Sequence, residues 1–336
     1  MRSLLVAALV AAPFALGAAV AAPADDTAVG HEVTRFTDPD IIESSGLVVL
    51  GDDLAVTMND SGDTARVFTV DLATGDTVGV THFDGAAHDL ESLAPADADH
   101  VWVGDTGDNG KDRPDITVTK VPVGRGDRTV EGETFHLTYP DGPHDAETLL
   151  AQPRTGRLFV VSKSPLGGAV YAAPAHLSAT GTNILVKVAS APALATDGSF
   201  LPDGRHVLVR NYFKATVLTF PGWQAVADFT LPQQQQGEGL GVRADGTVFL
   251  SSEGADQPVL RIDLPASARA ALAAKPVAPT SGPTTAASSP SAAPTPSSRP
   301  ATTQHDSGSG GGVWVLALFG ALGLLLLSGI VKLLRG

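Results

Sequence analysis

The chain has 336 residues, no cysteine, 36 acidic against 22 basic side chains, a formal net charge of −14 and only 5% aromatic residues. This length can bury one large β domain or two smaller ones, and the lack of cysteine excludes a disulfide framework, thiolate zinc sites and thiol nucleophiles. The acidic excess lies in the middle, because residues 1–22 and 274–336 together carry five basic side chains and one acidic one; such a middle repels nucleic-acid phosphates and anionic lipid heads and favours cations.

Met1-Arg2 gives a positive start, Leu4 to Val20 is apolar, and small residues at Ala19 and at Ala21 or Ala22 suit a cleavage site. Residues 1–22 therefore read as a secretory signal peptide.

From 31 to 265 the periodicity is that of strands. Short apolar runs alternate with turn clusters such as Gly51-Asp52-Asp53, Pro202-Asp203-Gly204 and Ala244-Asp245-Gly246. An acidic residue at a strand start recurs five times, at Glu43, Glu91, Glu147, Asp197 and Glu238, with spacings of 48, 56, 50 and 41 residues. These intervals suit four-stranded propeller blades of about 40–50 residues. Second strands are predicted at Leu54–Met58, Val101–Gly104, Leu158–Val161, His206–Val209 and Val248–Leu250, and third strands at Arg66–Val70, Ile116–Val121 and Val259–Ile262. The last unit runs out near Leu264 one strand short, and Glu32–Phe36 can fill that gap and close the ring. The expected fold class is all-β, a five-bladed β-propeller. A sixth blade hidden in the longer second unit is the rival count, and an open β-sandwich is the other alternative. Ala266–Ala274 is the exception to the strand pattern and reads as helical.

Residues 274–312 are dominated by Pro, Ser, Thr, Ala and Gly and read as a disordered stalk. Val313 to Val331 is an uncharged apolar run of 19 residues followed by Lys332 and Arg335. At about 1.5 Å per residue it is long enough to cross the hydrocarbon core, with residues 332–336 as a cytoplasmic tail. The expected layout is an exported, single-pass type I protein with its propeller outside the cell.

In a propeller the first strand of each blade is innermost, and its start shares one channel mouth with the end of the second strand. Glu43, Glu91, Glu147, Asp197 and Glu238 are therefore expected to form an inner carboxylate ring. Converging hard oxygen ligands suit Ca²⁺, which takes six to eight of them. Uncompensated carboxylates would repel and raise one another's pKa. The second strands end in polar runs that would form a surrounding shell, among them Asn59-Asp60-Ser61-Gly62-Asp63 and Asp105-Thr106-Gly107-Asp108-Asn109. Lys163 and Arg210 are candidates to neutralise part of the ring or to bind an anionic substrate, and a Lys/Arg network with ordered water is the metal-free alternative. Asp105, Asp108 and Glu253 are candidates to orient or deprotonate water. His88 and His144 each open a His-Asp-x-Glu run and are expected to cap inter-blade turns rather than to ligate zinc or act as bases. Gly104 to Asp112 fails as a P-loop and as an EF-hand loop, and no G-x-S-x-G elbow occurs. Arg125-Gly126-Asp127 reads as a turn, and Trp102 and Trp223 as blade packing.

The segments Glu43-Ser-Ser-Gly-Leu, Asn59-Asp-Ser-Gly-Asp, Gly104-Asp-Thr-Gly-Asp-Asn and Asp145-Ala-Glu-Thr-Leu-Leu resemble exported bacterial β-propellers of the phytase-like kind. The chain is similar as well to calcium-dependent five-bladed nucleotidases over residues 40–265. The resemblance implies a propeller with a calcium ion in its channel, but carries no catalytic residue across, because a full phosphate-binding set is not matched. Two functions follow as expectations: a membrane-anchored binding or scaffold module with structural Ca²⁺, or a Ca²⁺-dependent hydrolase of phosphoesters or lactones. The expected partner is an extracellular ligand or a component of the cell envelope, met by a monomer.

Overall fold

Short runs of Val, Leu, Ile, Phe and Thr between Gly- and Asp-rich turns favour strands buried on both faces, and such strands must stack against others. In the computed structural model, which describes residues 26–274 apart from 61 and 86, they form five sheets. The first blade has β2 (Ser44–Leu50), β3 (Leu54–Asn59), β4 (Arg66–Asp71) and β5 (Thr77–Phe83). The second has β6 (Leu90–Pro95), β7 (His100–Asp105), β8 (Ile116–Pro122) and β10 (Glu133–Thr138). The third has β11 (Ala146–Ala151), β12 (Leu158–Ser162), β13 (Gly168–Ala172) and β15 (Val186–Ala191), and the fourth β16 (Asp197–Phe200), β17 (His206–Arg210), β18 (Lys214–Thr219) and β19 (Ala225–Thr230). The fifth joins β20 (Gly237–Val242), β21 (Val248–Ser252) and β22 (Pro258–Asp263) to β1 (Val29–Arg35) from the start of the chain. Neighbours within each four-strand set are antiparallel.

The fold is therefore an all-β, five-bladed propeller. Its innermost strands β2, β6, β11, β16 and β20 pack in a closed ring, each against the next. Five apolar cores fill the spaces between blades. Leu47, Phe68 and Phe249 meet between the fifth and first blades, Met58, Leu93 and Val103 between the first and second, and Leu137, Leu149 and Tyr171 between the second and third. Phe159, Phe200 and Trp223 meet between the third and fourth, and Leu208, Phe229 and Leu250 between the fourth and fifth. Trp223 packs edge-on against Phe159 at 5.1 Å and Phe220 at 5.4 Å, so it is blade packing, as is Trp102 against Phe135.

The longer second unit does not hide a sixth blade. Its surplus residues form β9 (Arg128–Val130), which adds parallel to the outer edge of β5. In the same way β14 (Asn183–Ile184) adds to β10. Both cover outer edges that would otherwise expose unpaired backbone. A short helix, α1 (Ala266–Ala273), follows the last strand. The signal peptide, stalk, membrane span and tail read from the sequence lie outside the described residues. Among the described residues no helix is long and apolar enough to cross a membrane.

The ring is closed by β1, whose backbone pairs along β22 from Val29↔Asp263 to Arg35↔Pro258 although its side chains are mostly exposed. Its contribution is thus hydrogen bonding, with Phe36 plugged into the core behind it. Deleting residues 23–35 is expected to lower stability by about 1 kcal/mol for each lost backbone hydrogen bond and to make the protein self-associate through the bared edge of β22. Thermal unfolding and sedimentation check this; a monomer with an unchanged melting temperature would contradict it.

Candidate functional site

The inner strands begin at one mouth of the channel, opposite the ends of the second strands, as the pairs Leu90↔Asp105, Ala146↔Ser162 and Gly237↔Ser252 fix. Four of the five carry a register shift there: between Ser45 and Val48, Leu90 and Ser92, Ala146 and Thr148, and Gly237 and Leu240. A bulge re-aims the side chain of the extra residue, and the residues inside these bulges include Glu91, Glu147 and Glu238. Each is only 3% exposed, and one carboxylate oxygen from each lies within 4.8 Å of those of the other two. Gly46 and Gly239 let the strands come this close. Gly46 has a φ of +70°, and a Cβ on it would lie 2.9 Å from Leu93 N, while a Cβ on Gly239 would lie 2.2 Å from Ser251 Oγ.

The inner ring is thus three carboxylates, not five. Glu43 precedes β2, and its carbonyl accepts the Asp60 N–H at 3.0 Å; the residue β2 offers to the trio is Ser45. The Ser45 hydroxyl lies 3.3 Å from Glu91 Oε2 and 3.4 Å from Glu238 Oε2. Asp197 stands in the one inner strand without a register shift and lies further along the channel. Its Oδ2 accepts the Leu47 N–H at 3.1 Å and the Leu240 N–H at 2.6 Å, and its Oδ1 accepts the Gly198 N–H at 2.7 Å. It ties β2, β16 and β20 together across the axis.

Arg210, expected at the mouth, is fully buried in the channel wall. It donates to the carbonyl of Gly239 at 3.0 Å and to Gln234 Oε1 at 3.1 Å, while its Nη2 is buried without a partner. Burial lowers its pKa to about 10, against the pull of Asp197. Burial likewise raises Asp197, against its N–H donors and Arg210.

Lys163 does reach the trio. Its ammonium forms a hydrogen-bonded ion pair with Glu147 Oε1 and lies 5.3 Å from the centroid of the Tyr212 ring. Glu147 Oε2 is buried with no partner. Burial pushes Glu147 up to about 8, with Lys163 pulling down and Glu238 pushing up. Burial and the charge of Glu147 raise Glu91 further, and burial raises Glu238 against Lys163. For Lys163, burial opposes the charge, and Glu147 outweighs it and holds the ammonium above its usual range.

Toward the mouth, Glu253 is hydrogen-bonded to Glu238, and burial and that neighbour push it to about 8. Asp60 and Asp89 offer oxygens within 4.8 Å of each other and of Glu91, and burial with the charge of Asp60 raises Asp89 to about 6. Asp60 and Tyr212 fall in the polar runs at the ends of second strands that are expected to surround the ring, whereas Asp89 and Ser45 have no expected role there. Asp89 sits in the repeated His-Asp-x-Glu run, and that repeat is a signal that points to it.

The other candidates are occupied structurally. Asp105 accepts the N–H groups of His88 and Asp89 and pairs with Arg113 at 2.7 Å. Asp108 accepts the N–H groups of Asp112 and Arg113. Asp105 is one case of a repeated device in which the end of the second strand clamps the entry of the first. Asn59 accepts from Ile42 and Glu43 N–H, and the Ser252 hydroxyl from Gln236 N–H. His144 binds Asp141 and the Tyr171 hydroxyl, and His88 is exposed beside Asp105. Arg125 pairs with Asp71 and Asp53 while Asp127 caps the Val80 N–H, so Arg125-Gly126-Asp127 is consumed in its turn.

No family model matches the chain, and no curated protein is similar to it in sequence. Among solved structures the chain is similar to a crystal structure of glucose dehydrogenase, at 12% identity over 70% of this chain and 99% of that one, with a TM-score of 0.43. A second glucose dehydrogenase structure matches at 13% identity over 70% and 99%, with a TM-score of 0.42. The Dos1 propeller matches at 15% identity over 65% of this chain and 58% of that one, with a TM-score of 0.36.

Proposed function

We propose that this protein is a cation-dependent binding propeller that holds Ca²⁺ at its channel mouth through Glu91, Glu147 and Glu238. The observation that carries this reading is the buried, unpartnered Oε2 of Glu147 inside a cluster of three carboxylates that has one internal ammonium. A buried carboxylate oxygen without a donor is costly, and a hard cation with oxygen ligands at about 2.3–2.6 Å would satisfy it together with its two neighbours. Ser45 stands on the same side as a further oxygen. The resemblance to phytase-like and nucleotidase propellers agrees with an axial calcium. The signal peptide, Pro-rich stalk and apolar C-terminal run read from the sequence support an exported, membrane-anchored propeller that meets an extracellular ligand or envelope component.

A second reading, the Ca²⁺-dependent hydrolase of phosphoesters or lactones, is favoured by one feature. Three protein carboxylates leave coordination positions unfilled, and the groups toward the mouth are Asp60, Asp89 and Glu253. Bound Ca²⁺ would polarise a substrate oxygen, and Glu253, raised to about 8, can hold or accept a proton near neutral pH.

Calorimetric titration of the chelated full-length chain with Ca²⁺, followed by assays on generic phosphoesters and lactones with Ca²⁺ and with chelator, separates these. Saturable Ca²⁺ binding with a flat substrate panel supports the binding module. Turnover that needs Ca²⁺ and drops at least about 100-fold in Glu253→Gln supports the hydrolase. No saturable binding of Ca²⁺ sinks both.

A further inference from the structure

Resting on the cation site just proposed, a further role falls to Lys163. We propose that Lys163 is a built-in competitor for that cation: it holds the metal-free site together and must leave Glu147 when a divalent ion enters, moving onto the ring face of Tyr212.

The two carboxylate oxygens of Glu147 stand in different surroundings. One is bound by the Lys163 ammonium and the other is buried and unpartnered, and Glu147 offers one oxygen to a cluster with Glu91 and Glu238 whose ligand atoms lie within 4.8 Å of one another. A divalent ion bridging Glu91, Glu147 and Glu238 would use the carboxylate that the ammonium now neutralises. The two positive charges would then sit within a few ångströms in a largely desolvated pocket, where repulsion is strong. Something must give. The side chain of Lys163 is 17% exposed and that of Glu147 4%, so the lysine, on the open side, is the one that can move.

A landing place exists. The ammonium is 5.3 Å from the centre of the Tyr212 ring, within cation–π range, so a small swing keeps it stabilised after Glu147 is released. Lysine suits this task better than arginine, because its point charge sits on a flexible four-carbon stem and does not lock a carboxylate in a two-pronged grip. The same exchange confers selectivity. A monovalent ion would replace one ammonium charge by another and gain little, whereas a divalent ion brings a second charge to three carboxylates. Loading also changes the surface, since the mouth would then display a freed ammonium beside the ion.

The test is a pulse of acetic anhydride on the full-length chain, with and without saturating Ca²⁺, read by peptide mass spectrometry. Exposed Lys111 and Lys214 serve as internal references. Exchange predicts that Lys163 acetylates several-fold faster with Ca²⁺ while the references stay constant. It also predicts that Lys163→Met binds Ca²⁺ tighter by on the order of tenfold or more. Calcium binding with Lys163 acetylation unchanged overturns the exchange and leaves the cation site standing. Binding by Lys163→Met but not by the natural chain overturns the exchange, because the ammonium then excludes the ion instead of yielding to it. No binding by either overturns the cation site and the exchange together. Should Lys163→Met fail to fold, the acetylation of the natural chain decides alone.

Discussion

Asp197→Ala is expected to lower the unfolding free energy by about 3–5 kcal/mol, the cost of stripping one partner from a buried charged network. Its carboxylate accepts N–H groups from Leu47, Gly198 and Leu240, and so links three of the five inner strands. Alanine would leave those donors unsatisfied inside the channel and would remove the counter-charge that Arg210 has there. Asp197→Asn keeps the shape and two acceptor lone pairs and should cost clearly less. Arg210→Met probes the same network from the other side, and combining it with Asp197→Asn should cost less than the two separate losses added together. Chemical denaturation of the metal-free chain measures all four proteins. A loss below about 0.5 kcal/mol in Asp197→Ala, the range of an ordinary surface change, would show that this carboxylate does not staple the channel.

The metal-free protein is expected to lose stability as pH rises from about 4 to 8. Asp89, Glu147 and Glu253 are all raised by burial, to about 6, 8 and 8. A carboxyl whose pKa is higher in the folded state binds its proton more tightly there. Its stabilisation is complete below the unfolded value and disappears as pH climbs through the folded one. Each pH unit between the two values is worth about 1.4 kcal/mol, so Glu147 alone makes the slope easy to see. Lys163 offsets part of it, because an ionised Glu147 has its ammonium at hand. Calcium should abolish the slope, since it binds the deprotonated form and binds it more tightly as pH rises. Melting temperatures at pH 5 and pH 8, with chelator and with Ca²⁺, test this. Greater stability at pH 8 than at pH 5 with chelator present would contradict the account.

The architecture was legible because the propeller repeats its own signal. An acidic strand start every 41 to 56 residues counted the blades, and the missing strand near Leu264 pointed back to the chain start, where β1 does close the ring. What spoiled the five-carboxylate ring was local geometry that spacing cannot carry. The direction of Glu91, Glu147 and Glu238 depends on bulges, and bulges are a property of two strands paired together. Asp197 has a side chain one carbon shorter in a strand without a register shift, and it found backbone donors instead of the mouth. Glu43 lies just before its strand begins and so stays outside the trio. Arg210 and Asp105 carry charge at the ends of second strands, yet Asp105 clamps the entry of β6 and Arg210 is buried in the channel wall. Asp60 is legible as part of the expected polar shell, whereas Asp89 is overshadowed by Glu91, two residues on, in the repeat.

Calorimetric melting of the full-length chain after chelation, with Ca²⁺, Mg²⁺ and Zn²⁺ returned one at a time, tests the trio most directly. Glu91→Gln is the variant to run beside it, because glutamine imitates the protonated acid that burial favours at Glu91 and should leave the metal-free melt in place. A bound ion at a hundredfold excess over its Kd adds about 2.7 kcal/mol to the native state. The predicted result is a rise selective for Ca²⁺ in the natural chain and its absence in Glu91→Gln. An unchanged melt with every ion, or a rise that survives Glu91→Gln in full, would contradict a calcium site built on Glu91, Glu147 and Glu238.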